Sequence, residues 1–180
     1  MIVFITGGAK NGKSSYAQDL AVRLAAGGTH YYIATMIPVD EEDRERIRRH
    51  VADREGLGFE TVEQGTHILD CLRKCRTEAT FLLDSTTALL MNELFLPPDW
   101  QLDEAAGERC GDEVAAFAQA VKHIVIVSDY IYSDALRYDS VTETYRRGLA
   151  SIDRKLAAIS DVVLEMSGGN LIVHKGVLPE

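Results

Sequence analysis

The stretch Gly7-Gly8-Ala9-Lys10-Asn11-Gly12-Lys13-Ser14 fits the pattern GxxxxGK[ST], which is typical of loops that bind nucleotide phosphates. An apolar run at 2–6 precedes it and a helical pattern follows it, which is the context that this pattern requires. Glycines let backbone amides point at phosphate oxygens, and the helix adds the positive end of its dipole. We predict that Lys13 contacts the β and γ phosphates and that the Ser14 hydroxyl binds Mg²⁺.

Apolar, strand-like runs alternate along the chain with longer helical patterns. Strands are predicted at 2–6, 31–35, 80–84, 123–128, 162–166 and 171–174. Helices are predicted at 13–26, 41–54, 66–74, 103–120 and 140–158. Unbroken Val/Ile/Leu runs between helices favour a parallel sheet covered on both faces, and the short link at 167–170 favours a final hairpin. We predict an α/β, doubly wound fold of the P-loop NTPase (RecA-like) type, with a mostly parallel sheet and a C-terminal antiparallel strand.

Length and charge narrow the possible partners. The 180 residues favour one domain over 1–180, with 96–100 as a surface loop. A net charge of −9 disfavours nonspecific binding to nucleic acid or anionic membrane, and no apolar run approaches the roughly 18 residues that cross a bilayer. The apolar start runs directly into the glycine loop and is interpreted as a strand, not a signal peptide. We expect a small-molecule partner.

Three cysteines, Cys71, Cys75 and Cys110, are too few and too irregularly spaced for a disulfide framework, which favours reduced thiols in a cytoplasmic protein. Cys71 and Cys75 would lie one helical turn apart, a spacing compatible with two metal ligands. Because no Cys or His pair completes such a site at metal-like spacing, structural thiols are the favoured interpretation.

Two carboxylates follow predicted buried strands. Asp84 ends the strand at 80–84, where a phosphate loop usually finds the acid that supports its metal. The alternative is a helix N-cap, because Ser85 and two threonines follow. Asp129 follows the strand at 123–128 and is a second candidate of the same kind.

The predicted helix at 41–54 carries acids at its start and arginines toward its end, as the helix dipole favours in any solvated helix. His50 lies at the basic end, where neighbouring arginines could hold phosphates. A neutral imidazole can attack phosphorus and form a covalent intermediate. From these residues alone, His50 is either a nucleophile or an exposed helix histidine.

Taken together, these residues resemble the family of bifunctional adenosylcobinamide kinases and adenosylcobinamide-phosphate guanylyltransferases of cobalamin biosynthesis. The resemblance covers nearly the whole chain. It rests on Ile5-Thr6-Gly7-Gly8-Ala9 with Gly12-Lys13-Ser14, Tyr32-Ile33-Ala34-Thr35, Arg46-Ile47 with His50 and Arg54, Phe59-Glu60-Thr61-Val62-Glu63, the strand ending at Asp84, Asn92 with Leu94-Phe95, and Ser167-Gly168.

The resemblance implies an activity and a site. His50 would accept GMP from GTP and pass it to adenosylcobinamide phosphate, and a kinase step would first phosphorylate the aminopropanol hydroxyl of the corrinoid with ATP or GTP. Lys13, His50 and Asp84 would be catalytic, and Ser14 and Asp84 would hold Mg²⁺. A homotrimer is also implied. The nucleotide would lie against Gly7, Gly8, Ala9, Lys10, Asn11, Gly12, Lys13, Ser14, Ala34, Thr35, Met36, Val51, Ala52, Asp53, Arg54, Glu63 and Asp84.

The chain departs from the family pattern after the strand at 123–128. The usual Asn-Glu-Val-Gly is Asp129-Tyr130-Ile131-Tyr132 here, so a glutamate is lost unless Asp129 takes its role. Val51 and Glu55 also replace a common Lys and Pro. Two alternative functions follow: a nonenzymatic nucleotide-binding paralogue, or a P-loop kinase of another small alcohol.

Overall fold

A seven-stranded sheet contains all strands of the part of the chain that the structure describes. The structure is a computed structural model that describes residues 1–96 and 101–178. Its strands are β1 (Ile2–Gly7), β2 (His30–Ala34), β3 (Glu60–Glu63), β4 (Thr80–Asp84), β5 (His123–Val127), β6 (Val162–Ser167) and β7 (Asn170–Lys175). They lie in the order β3-β2-β4-β5-β1-β6-β7, and only β7 pairs antiparallel with its neighbour, β6. The predicted sheet, including its C-terminal antiparallel strand, is confirmed.

Helices cover both faces of this sheet. They are α1 (Lys13–Ala25), α2 (Glu41–Asp53), a 3-10 turn (Ile68–Asp70), α3 (Cys71–Lys74), α4 (Thr86–Glu93), α5 (Ala106–Ala120) and α6 (Ser140–Ile159). Alternate residues of one strand serve the two faces: Phe4 packs in the cluster with α4, α5 and α6, whereas Val3 and Ile5 pack against α1. This two-sided burial explains why the strands contain unbroken apolar runs.

The structure differs from the sequence-based prediction at four elements: helix α4 has no predicted counterpart, and the other three differences have local causes. The strand β3 is absent from that prediction, because its residues lie mostly exposed at the sheet edge and show no apolar alternation. The helix predicted at 66–74 starts later and is α-helical only over Cys71–Lys74, because His67 has a left-handed φ of 50° and a 3-10 turn follows it. The helix predicted from 103 begins at Ala106, after a turn in which the Asp103 side chain accepts from the Ala105 amide.

The predicted surface loop at 96–100 falls, apart from Leu96, outside the described residues. None of the helices in the described ranges is both long and apolar enough to cross a membrane.

Helices α5 and α6 cross in close contact at two glycines. A Cβ added to Gly107 would lie 2.5 Å from the Cα of Gly148, and a Cβ added to Gly148 would lie 3.2 Å from the Cα of Gly107. Side chains at either position would push the helices apart, so this crossing requires glycine on both helices.

The segment after β5 is attached to α6 by a buried carboxylate. Asp153 is 5% exposed, and its oxygens accept hydrogen bonds from the Ser128 hydroxyl and the Tyr132 hydroxyl, both at 2.7 Å. Burial raises the pKa of Asp153 to about 6. Since Ser128 and Tyr132 flank Asp129, this carboxylate fixes the segment that carries the second candidate acid.

We predict that Gly107→Ala destabilises the protein by about 1–3 kcal/mol, because the new methyl group has no room at the helix crossing. The matched control is Gly111→Ala on the same helix, where the nearest atom, Ile152 Cγ1, would be 3.4 Å away. That variant should keep its stability or gain up to about 1 kcal/mol from helix propensity. Urea denaturation measures both, and equal stability of the two variants would contradict the close crossing.

We predict that the wild-type protein loses stability relative to the Asp153→Asn variant as the pH rises from about 4 to about 6. The folded-state pKa of Asp153 is raised, so its stabilising contribution is complete below the ordinary value of 3.8 and is lost as the pH passes about 6. The relative change should be roughly 3 kcal/mol or less. Denaturation at stepped pH checks this, and parallel curves for the two proteins would refute it.

Candidate active site

The phosphate loop connects β1 to α1 through backbone conformations that favour glycine. Gly12 is the N-cap residue of α1 with a φ of 83°. A Cβ at Gly7 would collide with the Met166 carbonyl oxygen on β6. The loop therefore presents the first turn of α1, with its free amides, to the carboxyl edge of the sheet, where an anion can be held.

Lys13 forms an ion pair with the second strand-end acid. Its Nζ lies 2.6 Å from Asp129 Oδ1 and donates to the Gly8 carbonyl oxygen at 2.6 Å. The Lys13 side chain is buried, and the Asp129 amide donates to the Thr87 hydroxyl at 3.0 Å. The structure thus brings Asp129 against the phosphate loop, where the family pattern has a glutamate one position later.

Asp84 ends β4 at the same edge. The Tyr32 hydroxyl donates to Asp84 Oδ2 at 2.9 Å. Ser85, and not Asp84, is the N-cap residue of α4, since its hydroxyl accepts from the Ala88 amide at 3.4 Å. The capping interpretation of Asp84 is therefore wrong, and its carboxylate is directed by Tyr32.

Thr35 holds the residue that follows Asp84. Its hydroxyl donates to the Ser85 carbonyl and accepts from the Ser85 amide, both at 2.8 Å, and Thr35 is fully buried. The Thr35 carbonyl accepts from the Asn92 side chain at 2.8 Å. Thr35 is thus a buried residue that supports the end of β4.

Helix α2 is a charged helix with no buried residues. It starts at Asp40, whose side chain accepts from the Asp43 amide, as in a standard N-cap. At its other end the Arg54 guanidinium donates to the His50 carbonyl at 2.7 Å and to the Thr61 hydroxyl at 3.3 Å. The helix is therefore attached by polar contacts at its His50 end.

His50 has a buried ring nitrogen. Its Nδ1 is buried and finds no hydrogen-bond partner among the described residues. A buried imidazole nitrogen without a partner is costly unless a bound group satisfies it. Nδ1 can therefore form a hydrogen bond with a bound group, as donor or acceptor according to the tautomer of the ring.

One cavity of about 970 Å³ brings the phosphate loop, both strand-end acids and His50 together. This is near the upper end of the roughly 300–1,000 Å³ that is typical of ligand sites. The predicted site residues that line it are Ala9, Lys10, Asn11, Gly12, Lys13, Ser14, Ala34, Met36, His50, Val51, Asp53, Arg54, Glu63 and Asp84.

Four predicted residues are not part of this lining: Gly7, Gly8, Thr35 and Ala52. The cavity is also lined by residues for which the sequence predicts no individual role, among them Tyr32, Arg46, Arg49 and Thr61. For Tyr32 the only available signal is its place in the motif Tyr32-Ile33-Ala34-Thr35. Asp129, also in the lining, is recognisable in the sequence as a strand-end acid.

The lining offers ligands for a hard cation. Ser14 and Asp84, whose side chains carry oxygen atoms, both line the cavity. Mg²⁺ prefers oxygen ligands, and it is usually bound by one or two carboxylates together with substrate phosphates. The residues present therefore fit the predicted Mg²⁺.

A second group of polar side chains lies apart from this cavity. Within the described ranges, the potential metal ligands that lie together are His67, Glu93 and Glu113, with ligand atoms within 4.8 Å of one another. Glu93 already accepts from the His67 amide at 2.6 Å and from the Arg109 guanidinium at 3.2 Å.

Burial raises the pKa of the Cys71 thiol to about 12, which fits a structural thiol.

Two solved structures share this fold at low sequence identity. One is an ATPase domain with a TM-score of 0.55 and 10% identity, and the match covers 97% of this chain and 76% of that chain. The other is the KaiC-like protein PH0186 from Pyrococcus horikoshii OT3, with a TM-score of 0.56 and 12% identity, covering 97% and 78%. These likenesses concern the fold alone, and they confirm the predicted P-loop, RecA-like class.

Two curated relatives cover nearly the whole chain. Both are named bifunctional adenosylcobalamin biosynthesis protein CobU: the protein of Salmonella typhimurium LT2 is 29% identical and that of Escherichia coli K12 is 25% identical. Each match covers 93% of this chain and 97% of the relative. The sequence model described as cobinamide kinase / cobinamide phosphate guanyltransferase matches residues 3–173. The chain therefore belongs to the cobinamide kinase / cobinamide phosphate guanyltransferase (CobU) family.

Proposed function

We propose that the protein phosphorylates the aminopropanol hydroxyl of adenosylcobinamide and then transfers GMP from GTP to the product through His50. The observation that carries this proposal is that Lys13 of the phosphate loop and His50 line the same cavity. Family membership and the names of both curated relatives support the two activities.

In the kinase step, the corrinoid hydroxyl oxygen attacks the γ-phosphorus of ATP or GTP. A new oxygen–phosphorus bond forms while the bond from the γ-phosphorus to the bridging oxygen breaks, and the nucleoside diphosphate leaves. Lys13 stabilises the charge on the phosphates. We assign Asp129, whose carboxylate lies at Lys13, as the base that takes the hydroxyl proton.

In the guanylyl step, a ring nitrogen of His50 attacks the α-phosphorus of GTP and pyrophosphate leaves. A phosphate oxygen of adenosylcobinamide phosphate then attacks the same phosphorus, which breaks the nitrogen–phosphorus bond and restores the imidazole. The arginines of α2 that line the cavity, Arg46 and Arg49, would stabilise the charge that develops on the phosphates.

Ser14 and Asp84 are the residues that would hold Mg²⁺. When bound, the ion would neutralise phosphate charge and orient the triphosphate. Tyr32 directs the Asp84 carboxylate, so the chain itself fixes one of these two ligands.

The proposal extends to the organisation of the molecule. We propose one domain over 1–180, because the sheet takes strands from Ile2–Gly7 through Asn170–Lys175. The family resemblance supports a homotrimer. The free thiols of Cys71, Cys75 and Cys110 support a cytoplasmic location.

We predict that incubation with GTP labelled at the α-phosphate gives a protein-bound label that is acid-labile and alkali-stable, as expected for a phosphorus–nitrogen bond. His50→Ala should abolish this label. The matched control is His67→Ala, which removes an exposed histidine from the separate cluster at Glu93 and should retain it. Denaturing gel autoradiography measures both variants.

Other outcomes identify the alternative functions. An unchanged label in His50→Ala would rule out this residue as the nucleophile. Tight GTP binding with neither labelling nor corrinoid phosphorylation would favour the nonenzymatic paralogue. Transfer of a γ-label to another alcohol, and not to adenosylcobinamide, would favour the kinase of another substrate.

We predict that Asp129→Asn lowers the kcat of corrinoid phosphorylation by about 100-fold, the lower end of the usual effect of losing a general base. Labelling of His50 should fall much less, because that step has no hydroxyl proton to remove. Asp19→Asn, an exposed acid on α1, controls for the change in net charge. Equal losses in both steps would contradict the assignment of Asp129 as a base.

A further inference from the structure

Tyr32 contacts the strand-end acid through its hydroxyl. The side chain lies on β2, is 4% exposed, and donates to Asp84 Oδ2 at 2.9 Å. Burial, reinforced by the Asp84 carboxylate, raises the pKa of Tyr32 far above its usual value. The phenol therefore remains protonated over the physiological pH range, and the Asp84 carboxylate has a permanent donor on one oxygen.

The ring of the same tyrosine contacts the helix that carries His50. The guanidinium carbon of Arg54 lies 4.2 Å from the centre of the Tyr32 ring, a cation–π geometry. That guanidinium also donates to the His50 carbonyl at 2.7 Å. Since α2 has no buried residues, packing of an apolar face does not fix its position. The contact with Tyr32 is thus part of what determines where His50 lies.

These contacts form one continuous path from Asp84 through Tyr32 and Arg54 to His50. We propose that Tyr32 is a positioning residue with two separable roles in the proposed function, on which this inference rests. Its hydroxyl orients Asp84 for the triphosphate used in both transfers, and its ring seats Arg54 so that His50 is in place for the guanylyl transfer.

The two roles have different kinetic consequences. Loss of the hydroxyl alone disturbs Asp84, which serves both reactions, so both rates should fall together. Loss of the ring also releases Arg54, whose guanidinium donates to the His50 carbonyl, so guanylylation should fall further. The ratio of His50 labelling to γ-phosphoryl transfer therefore separates positioning from a general loss of structure.

The test compares Tyr32→Phe, Tyr32→Met and the control Tyr31→Phe. Tyr31 lies on the opposite face of β2, stacked on Phe81 at 5.2 Å, and its variant should keep both rates. Tyr32→Phe should lower both rates by about tenfold, the effect of losing a hydrogen bond to a charged group, without changing their ratio. Tyr32→Met should lower labelling by about another tenfold while γ-transfer stays at the Tyr32→Phe level.

Arg54→Lys is a second variant in which the ratio of His50 labelling to γ-phosphoryl transfer is measured, in case Tyr32→Met does not fold. It keeps the charge but loses the planar group that stacks on the ring, so the ratio should fall there too. An unchanged ratio in Arg54→Lys, or in a folded Tyr32→Met relative to Tyr32→Phe, would overturn the proposal. Tyr32→Phe rates equal to those of Tyr31→Phe would also overturn it.

Failure of the proposed function would look different from failure of this inference. If the unsubstituted protein shows neither transfer, the proposed function is wrong and the role of Tyr32 falls with it. If the unsubstituted protein shows both transfers and Tyr32→Met has the same ratio of labelling to γ-transfer as Tyr32→Phe, only the role of Tyr32 is refuted. Thermal melting of each variant identifies any loss of folding.

Discussion

The parallel register of β1, β4 and β5 is the constraint on which the site depends. Asp84 aligns with Val127, and Val127 aligns with Ile5, so β4 and β5 end at the same level and β1 continues for two more residues to Gly7. Because the chain leaves parallel strands at the same edge, the phosphate loop, Asp84 and Asp129 meet there. A shift of β4 by one residue would turn the Asp84 side chain to the opposite face and remove it from the cavity.

The elements that the sequence predicts well are those whose burial leaves a local pattern. The strands between two helical layers are continuous apolar runs, and their predicted ends differ from the observed ends by at most one residue. The edge strand Glu60–Glu63 has no such pattern, since it is mostly exposed. The helix Thr86–Glu93 is indicated in the sequence only by the capping alternative for Asp84. Its cap, Ser85, lies one residue later than that alternative places it.

The residues of the site also differ in how well the sequence predicts their roles. The phosphate loop and the strand-end acids are recognisable because their chemistry depends on neighbours in sequence. The role of Tyr32 is not recognisable in this way, because its hydroxyl finds Asp84 at a separation of 52 positions. Nor could the sequence show that the departure at Asp129-Tyr130-Ile131-Tyr132 still brings a carboxylate to Lys13. That pairing depends on the anchoring of the segment by Asp153 and Thr87.

Charge acts on an approaching nucleotide differently at long range and at short range. The whole chain carries a net charge of −9 and repels a polyanionic nucleotide at long range. At physiological ionic strength this repulsion is screened beyond about 8 Å. Within that distance an approaching triphosphate meets the five arginines that line the cavity. Capture is therefore a short-range event, in which discrimination among anions begins at the mouth of the cleft and not during diffusion toward it.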